Sequence, residues 1–118
     1  EIIVIGNEIL TVIYTPGHFK DSVCFWDKKN SSLFTGDTMF VGRTGRTVSI
    51  TSNVDELYNS IYNKLFKLPK QTIIYPGHNY GYTPSISIQE SINLFDFFSC
   101  KSLADFCVVM QNFEKNRK

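Results

Sequence analysis

Apolar residues fall first into short β-branched runs and later into stripes of helical period. Ile2-Ile3-Val4-Ile5 and Ile9-Leu10-Thr11-Val12-Ile13-Tyr14, joined across Gly6-Asn7, predict a hairpin. The second run ends at Thr15-Pro16, where proline removes a ladder donor, and the chain turns through Gly17 to His18. Val23-Cys24-Phe25-Trp26-Asp27 and Ser32-Leu33-Phe34-Thr35 predict a strand and its return around Lys28-Lys29-Asn30-Ser31, and the return stops on Gly36-Asp37. No periodicity runs from Thr38 to Ser52, and the doubled Gly42-Arg43-Thr44 and Gly45-Arg46-Thr47 predict a flexible basic loop. Asn53 then reads as an N-cap with Glu56 three residues on, while Val54, Leu57, Tyr58, Ile61, Leu65 and Phe66 recur at helical spacing. Pro69 stops this helix, and Gln71-Thr72-Ile73-Ile74-Tyr75 predicts a short buried strand before Pro76-Gly77-His78. Asn79 to Ser87 reads as loop and Ile88 to Phe95 as a short helix with Phe97 and Phe98 behind it. Last comes an amphipathic helix, opened by Ser102 with Asp105 and striped by Leu103, Phe106, Cys107, Met110 and Phe113.

Composition narrows the class. The 118 residues fit one modest domain, and 42% hydrophobic with 19% charged content describes a globular chain with a core. A net charge of +1 argues against a nucleic-acid or acidic-membrane surface, and only the tail Glu114-Lys115-Asn116-Arg117-Lys118 is locally basic. Cys24, Cys100 and Cys107 are odd in number and lack metal-type pairing, which predicts reduced thiols and a cytoplasmic setting. No apolar run has the length of a membrane span, and no signal peptide is visible. Tyr58, Tyr62 and Phe66 read as packing residues, Lys28-Lys29 as a solvated turn and Cys24 as a small core residue.

The candidate chemistry lies where three predicted strands end. Thr15-Pro16-Gly17-His18, Gly36-Asp37 and Tyr75-Pro76-Gly77-His78 each close a strand on a turn, and together they offer His, Asp and His. Singly, each is ordinary turn chemistry. Jointly they hold both histidines of the chain in one Pro-Gly-His context with a strand-end carboxylate between them, the ligand types that zinc, iron or manganese accept.

These motifs, with Leu33-Phe34-Thr35-Gly36-Asp37-Thr38-Met39-Phe40 and Tyr75-Pro76-Gly77-His78-Asn79-Tyr80, resemble the second half of metallo-β-lactamase-fold hydrolases, nearest the glyoxalase II and persulfide dioxygenase branch. The resemblance implies an α/β fold, the C-terminal half of a four-layer α/β/β/α sandwich, with residues 1–118 forming a partial domain. It implies that His18 binds a first metal, that Asp37 bridges two metals and that His78 binds the second. The cofactor would be zinc, two ions in a complete site, or a single iron in the oxygenase branch. The implied activity is hydrolysis of a thioester such as hydroxyacylglutathione by a water activated on the metals, and Arg46 and Tyr80 resemble residues that contact the glutathione part. Persulfide oxidation is the alternative, and an inactive packing or interaction module is a third reading. The family's first ligand cluster, His-x-His-x-Asp-His, does not occur in these residues, so catalysis is not expected from this chain alone. Removing half of a two-sheet sandwich would uncover Ile3, Ile5, Val12, Phe25 and Phe34, which predicts pairing with the missing N-terminal half or self-association. The other expected partner is a small thiol or thioester, with neither nucleic acid nor membrane.

Overall fold

The hairpin across Gly6-Asn7 is present in the computed structural model, which describes residues 1–116: β1 (Ile2–Ile5) pairs antiparallel with β2 (Glu8–Tyr14). Antiparallel β3 (Val23–Asp27) and β4 (Ser32–Gly36) follow. The chain then crosses through helix α1 (Val54–Asn63) and a 3-10 turn at Leu65–Lys67 to β5 (Ile73–Pro76), which pairs parallel to β4. A two-residue strand β6 (Ile86–Ser87) completes the sheet in the order β1-β2-β3-β4-β5-β6. Helix α2 (Ile88–Leu94), a 3-10 turn at Asp96–Phe98 and helix α3 (Leu103–Asn116) follow.

Register assigns the two faces of the sheet. Trp26, Leu33, Ile74 and Ile86 stand opposite one another across β3 to β6. On that face Leu33, Ile74 and Ile86 are buried together with Cys24, Leu57, Ile61, Ile88, Phe98, Phe106 and Met110, so all three helices cover it. Val12, Phe25, Phe34 and Tyr75 form the row on the other face. There Phe34 and Tyr75 are each 42% exposed and stack at 5.6 Å, and nothing among the described residues covers them. All four residues of β1 are exposed, at the edge of the sheet.

The two expected caps are in place: Asn53 accepts from the Glu56 amide at 2.9 Å and Ser102 from Asp105 at 3.1 Å. Ser87 adds a third, outside the sequence expectations, accepting from Glu90 at 3.0 Å. Helix α1 packs so tightly on the turn before His18 that a Cβ on Gly17 would stand 2.4 Å from the Leu57 Cα. Gly17 also has φ 146°, so this approach requires glycine twice over. Tyr58 stacks on Tyr62 at 4.6 Å and both rings meet Phe106, which gives these aromatics the packing role expected of them.

Two expectations need correction. Residues 79–87 are not all loop, because Ile86 and Ser87 pair with Ile74 and Ile73. Nor is 38–52 one flexible loop: Thr38, Met39, Phe40, Val41 and Thr44 are buried. The Phe40 amide bonds the Arg43 carbonyl at 2.8 Å and the Gly45 amide bonds Thr38 at 3.0 Å, closing the segment on itself. Only its second half, with Val48 and Ile50, is exposed. Arg117 and Lys118 of the basic tail lie outside the described residues. Among the described residues no helix is long and apolar enough to cross a membrane, and all three cysteines are free thiols.

Candidate metal centre

Strand direction brings the three motifs to one edge. β2 and β4 both run antiparallel to β3, and β5 runs parallel to β4, so β2, β4 and β5 all end on the same side of the sheet. The loops they deliver are stitched together. Thr15 and Thr38, both buried, approach through their hydroxyls at 3.3 Å, and the Thr15 hydroxyl lies 3.5 Å from the Cys24 sulfur. The Gly77 amide bonds the Gly36 carbonyl at 2.8 Å. Burial pushes the Cys24 thiol up to about 11, outweighing its hydrogen bonds from Thr15 and Thr38, so it stays protonated at neutral pH.

The two candidate histidines are each held through one ring nitrogen. His18 Nδ1 bonds the Arg46 carbonyl at 2.6 Å, and because a carbonyl can only accept, Nδ1 is the donor and Nε2 is the ring nitrogen outside that bond. His78 Nδ1 donates to Asp37 Oδ1 at 2.8 Å, and Nε2 is again the ring nitrogen outside that bond. The His78 and Asp37 side chains are 54% and 42% exposed, so this pair faces open space. His18 and Asp37 share the wall of a cavity of about 370 Å³ with Phe40, Arg43, Arg46 and Tyr80.

Two imidazoles and a carboxylate are the donor types that a divalent cation takes. Among the described residues, however, no three His, Cys, Asp or Glu side chains gather as an ion requires, so His18, Asp37 and His78 share one edge of the sheet without forming a metal site by themselves.

The cavity's other wall carries the cations and rings. Arg46 makes an ion pair with Glu114 of α3, Nε to Oε1 at 3.4 Å. Tyr80 stacks on His78 at 5.3 Å and meets Phe40 edge-on at 4.9 Å. Arg43 stands over three rings, Tyr80 at 4.5 Å and Phe40 and Phe113 at 5.0 Å each. Burial lowers the Arg43 guanidinium below its ordinary value, with Tyr80 the leading opposing influence. Sequence reasoning placed Arg46 and Tyr80 here but missed Arg43, Phe40 and Glu114. The doubled Gly-Arg-Thr was the one available signal for Arg43.

Comparison with known proteins agrees with this architecture. The family model of the metallo-beta-lactamase superfamily matches residues 1–78. A hydroxyacylglutathione hydrolase of Dictyostelium discoideum is 35% identical over 86 residues, covering 68% of this chain and 31% of that protein. The mitochondrial persulfide dioxygenase ETHE1 of Homo sapiens is 33% identical over 109 residues, 91% of this chain and 42% of that protein. The crystal structure of ETHE1 from Myxococcus xanthus superposes with a TM-score of 0.88 at 33% identity, covering 100% of this chain and 51% of that one. The chain thus spans about half, or less, of the proteins it resembles. With a mixed sheet helical on one face, matched motifs at the ends of β2 and β4, and a fold superposing over its whole length, this chain belongs to the metallo-beta-lactamase superfamily.

Proposed function

We propose that this chain supplies His18, Asp37 and His78 to the metal centre of a metal-dependent hydrolase acting on a thioester such as hydroxyacylglutathione. The observation that carries this reading is the hydrogen bond from His78 to Asp37 beside the cavity that Asp37 shares with His18, with Nε2 of each imidazole outside the bond that holds its ring. When bound, zinc or iron would act as a Lewis acid and lower the pKa of a coordinated water. His18 is oriented for its role by the Arg46 carbonyl, and Asp37 by His78 and by the Gly36–Gly77 stitch. Arg46 and Tyr80, on the cavity wall, would contact the substrate. The remaining ligands would come from outside this sequence, consistent with the larger size of its relatives.

The open sheet face supports the same reading. Phe34 and Tyr75 are exposed in a row with Val12 and Phe25, as for the inner layer of a sandwich awaiting its second sheet from an N-terminal half or a second copy. A mononuclear iron oxygenase acting on persulfides is the second reading, favoured by the 91% coverage of this chain by the human persulfide dioxygenase.

Metal titration tests the site. Zinc should bind the chain weakly and be lost to a chelator, because few protein groups hold it, and Asp37→Ala or His78→Ala should weaken it about tenfold or more. Binding unchanged in both variants would overturn the ligand roles. Joined to a polypeptide carrying the missing ligands, the chain should hydrolyse hydroxyacylglutathione; persulfide oxidation with iron instead would select the second reading.

A further inference from the structure

We infer that Arg43 is the anion-recognition residue of the cavity, taking a carboxylate of the substrate in the plane of its guanidinium. This rests on the cavity being the substrate site proposed above. Two arginines line that cavity, and they are committed differently. Arg46 is ion-paired to Glu114, and its carbonyl holds His18. Arg43 makes no ion pair among the described residues, and its only side-chain hydrogen bond among them runs from Nε to the Thr44 carbonyl at 3.2 Å.

What fixes Arg43 instead is aromatic. Phe40, Tyr80 and Phe113 lie 4.5–5.0 Å from its guanidinium carbon, so three π systems hold the cation in place. With Nε given to Thr44, the Nη N–H groups make no hydrogen bond among the described residues, and the pair of them forms a fork that matches the two oxygens of a carboxylate. A guanidinium immobilised before the ligand arrives also loses little side-chain freedom on binding. The backbone keeps it there, since the Arg43 carbonyl accepts from the buried Phe40 amide at 2.8 Å. The substrate class is therefore a small molecule that presents a carboxylate to this wall while its reacting group faces His18 and Asp37.

The test is a titration of the 15N-labelled protein with glutarate, followed at the Arg43 Nε–Hε resonance, with inorganic phosphate at matched ionic strength as the second arm. Glutarate should shift the resonance saturably and bind more tightly than phosphate. Arg43→Gln should weaken glutarate binding about tenfold or more, and Arg43→Lys, which keeps the charge but loses the fork, should fall between. Zinc titration of the same variants should change less than about twofold, which separates this result from damage to the fold or to the metal site. Glutarate bound equally well by Arg43→Gln, or phosphate bound as tightly as glutarate, would overturn the assignment. Because the titration needs no metal, failure to bind zinc would leave it readable.

Discussion

Gly45 lies against the His18 ring so closely that a Cβ there would stand 2.9 Å from the imidazole and 2.0 Å from the Asp37 carbonyl oxygen. One backbone position thereby sets the spacing of two candidate ligands. Gly45→Ala has to push one of them away, and backbone on the Asp37 side does not yield as a long side chain would. The expected cost is about 2–3 kcal/mol of stability, with zinc affinity lowered further than stability alone requires. Urea denaturation with parallel zinc titration checks this, and a variant with wild-type values in both would refute the close approach.

Asn53 is a cleaner probe of the scaffold. It accepts from the Glu56 amide at the start of α1, away from the cavity lining. Asn53→Ala should cost about 1 kcal/mol, and Asn53→Asp should restore most of it by keeping an acceptor near the helix N-terminus. Urea midpoints that shift without a change in m-value would carry this result.

Cys24 makes stability depend on alkaline pH. Its thiol holds its proton up to about 11 in the folded chain but titrates near 9.0 once exposed. The folded pKa is raised, so the stabilisation is complete below about pH 9 and is lost as pH climbs towards 11. That loss should approach about 2–3 kcal/mol. Because Tyr62 is also pushed up by burial, the share of Cys24 is the difference between wild type and Cys24→Ala, whose stability curve should be flatter over this interval. Equal slopes in the two proteins would exclude the thiol. In the native protein Cys100 and Cys107 should alkylate well before buried Cys24.

The row Val12, Phe25, Phe34 and Tyr75 predicts association. Light scattering of the isolated chain should rise with concentration, and Phe34→Glu should suppress the rise by placing a charge in the centre of the apolar face. Parallel unfolding curves should show little loss of stability, since Phe34 is already 42% exposed. Concentration-independent scattering by the wild-type chain would mean that this face needs no cover.

The three strand ends were legible because proline and glycine write a turn into the sequence and apolar alternation writes the strand before it. Helix α1 was legible from Asn53 and the spacing of Leu57 and Ile61. Arg43 and Phe40 were not, because their positions follow from two backbone hydrogen bonds within 38–45, which leave no period in the side chains. β6 escaped because two residues carry no pattern, and its existence depends on Ile73 and Ile74 beside it. Glu114 read as part of a charged tail, and only the packing of α3 against the cavity wall gives it a partner in Arg46.

The parallel pairing of β4 with β5 also fixes an order of events during folding. β1 to β4 are successive antiparallel neighbours that can zip together through nearby residues, whereas Asp37 and His78 are 41 positions apart and meet only after the chain has laid down α1 and returned. Closing that excursion is the slower step, since its entropy is lost before the pairing rewards it. On refolding, this chain would therefore pair its four antiparallel strands before the second histidine reached the carboxylate. Any cation present during refolding would meet His78 and Asp37 brought together only after those strands have formed.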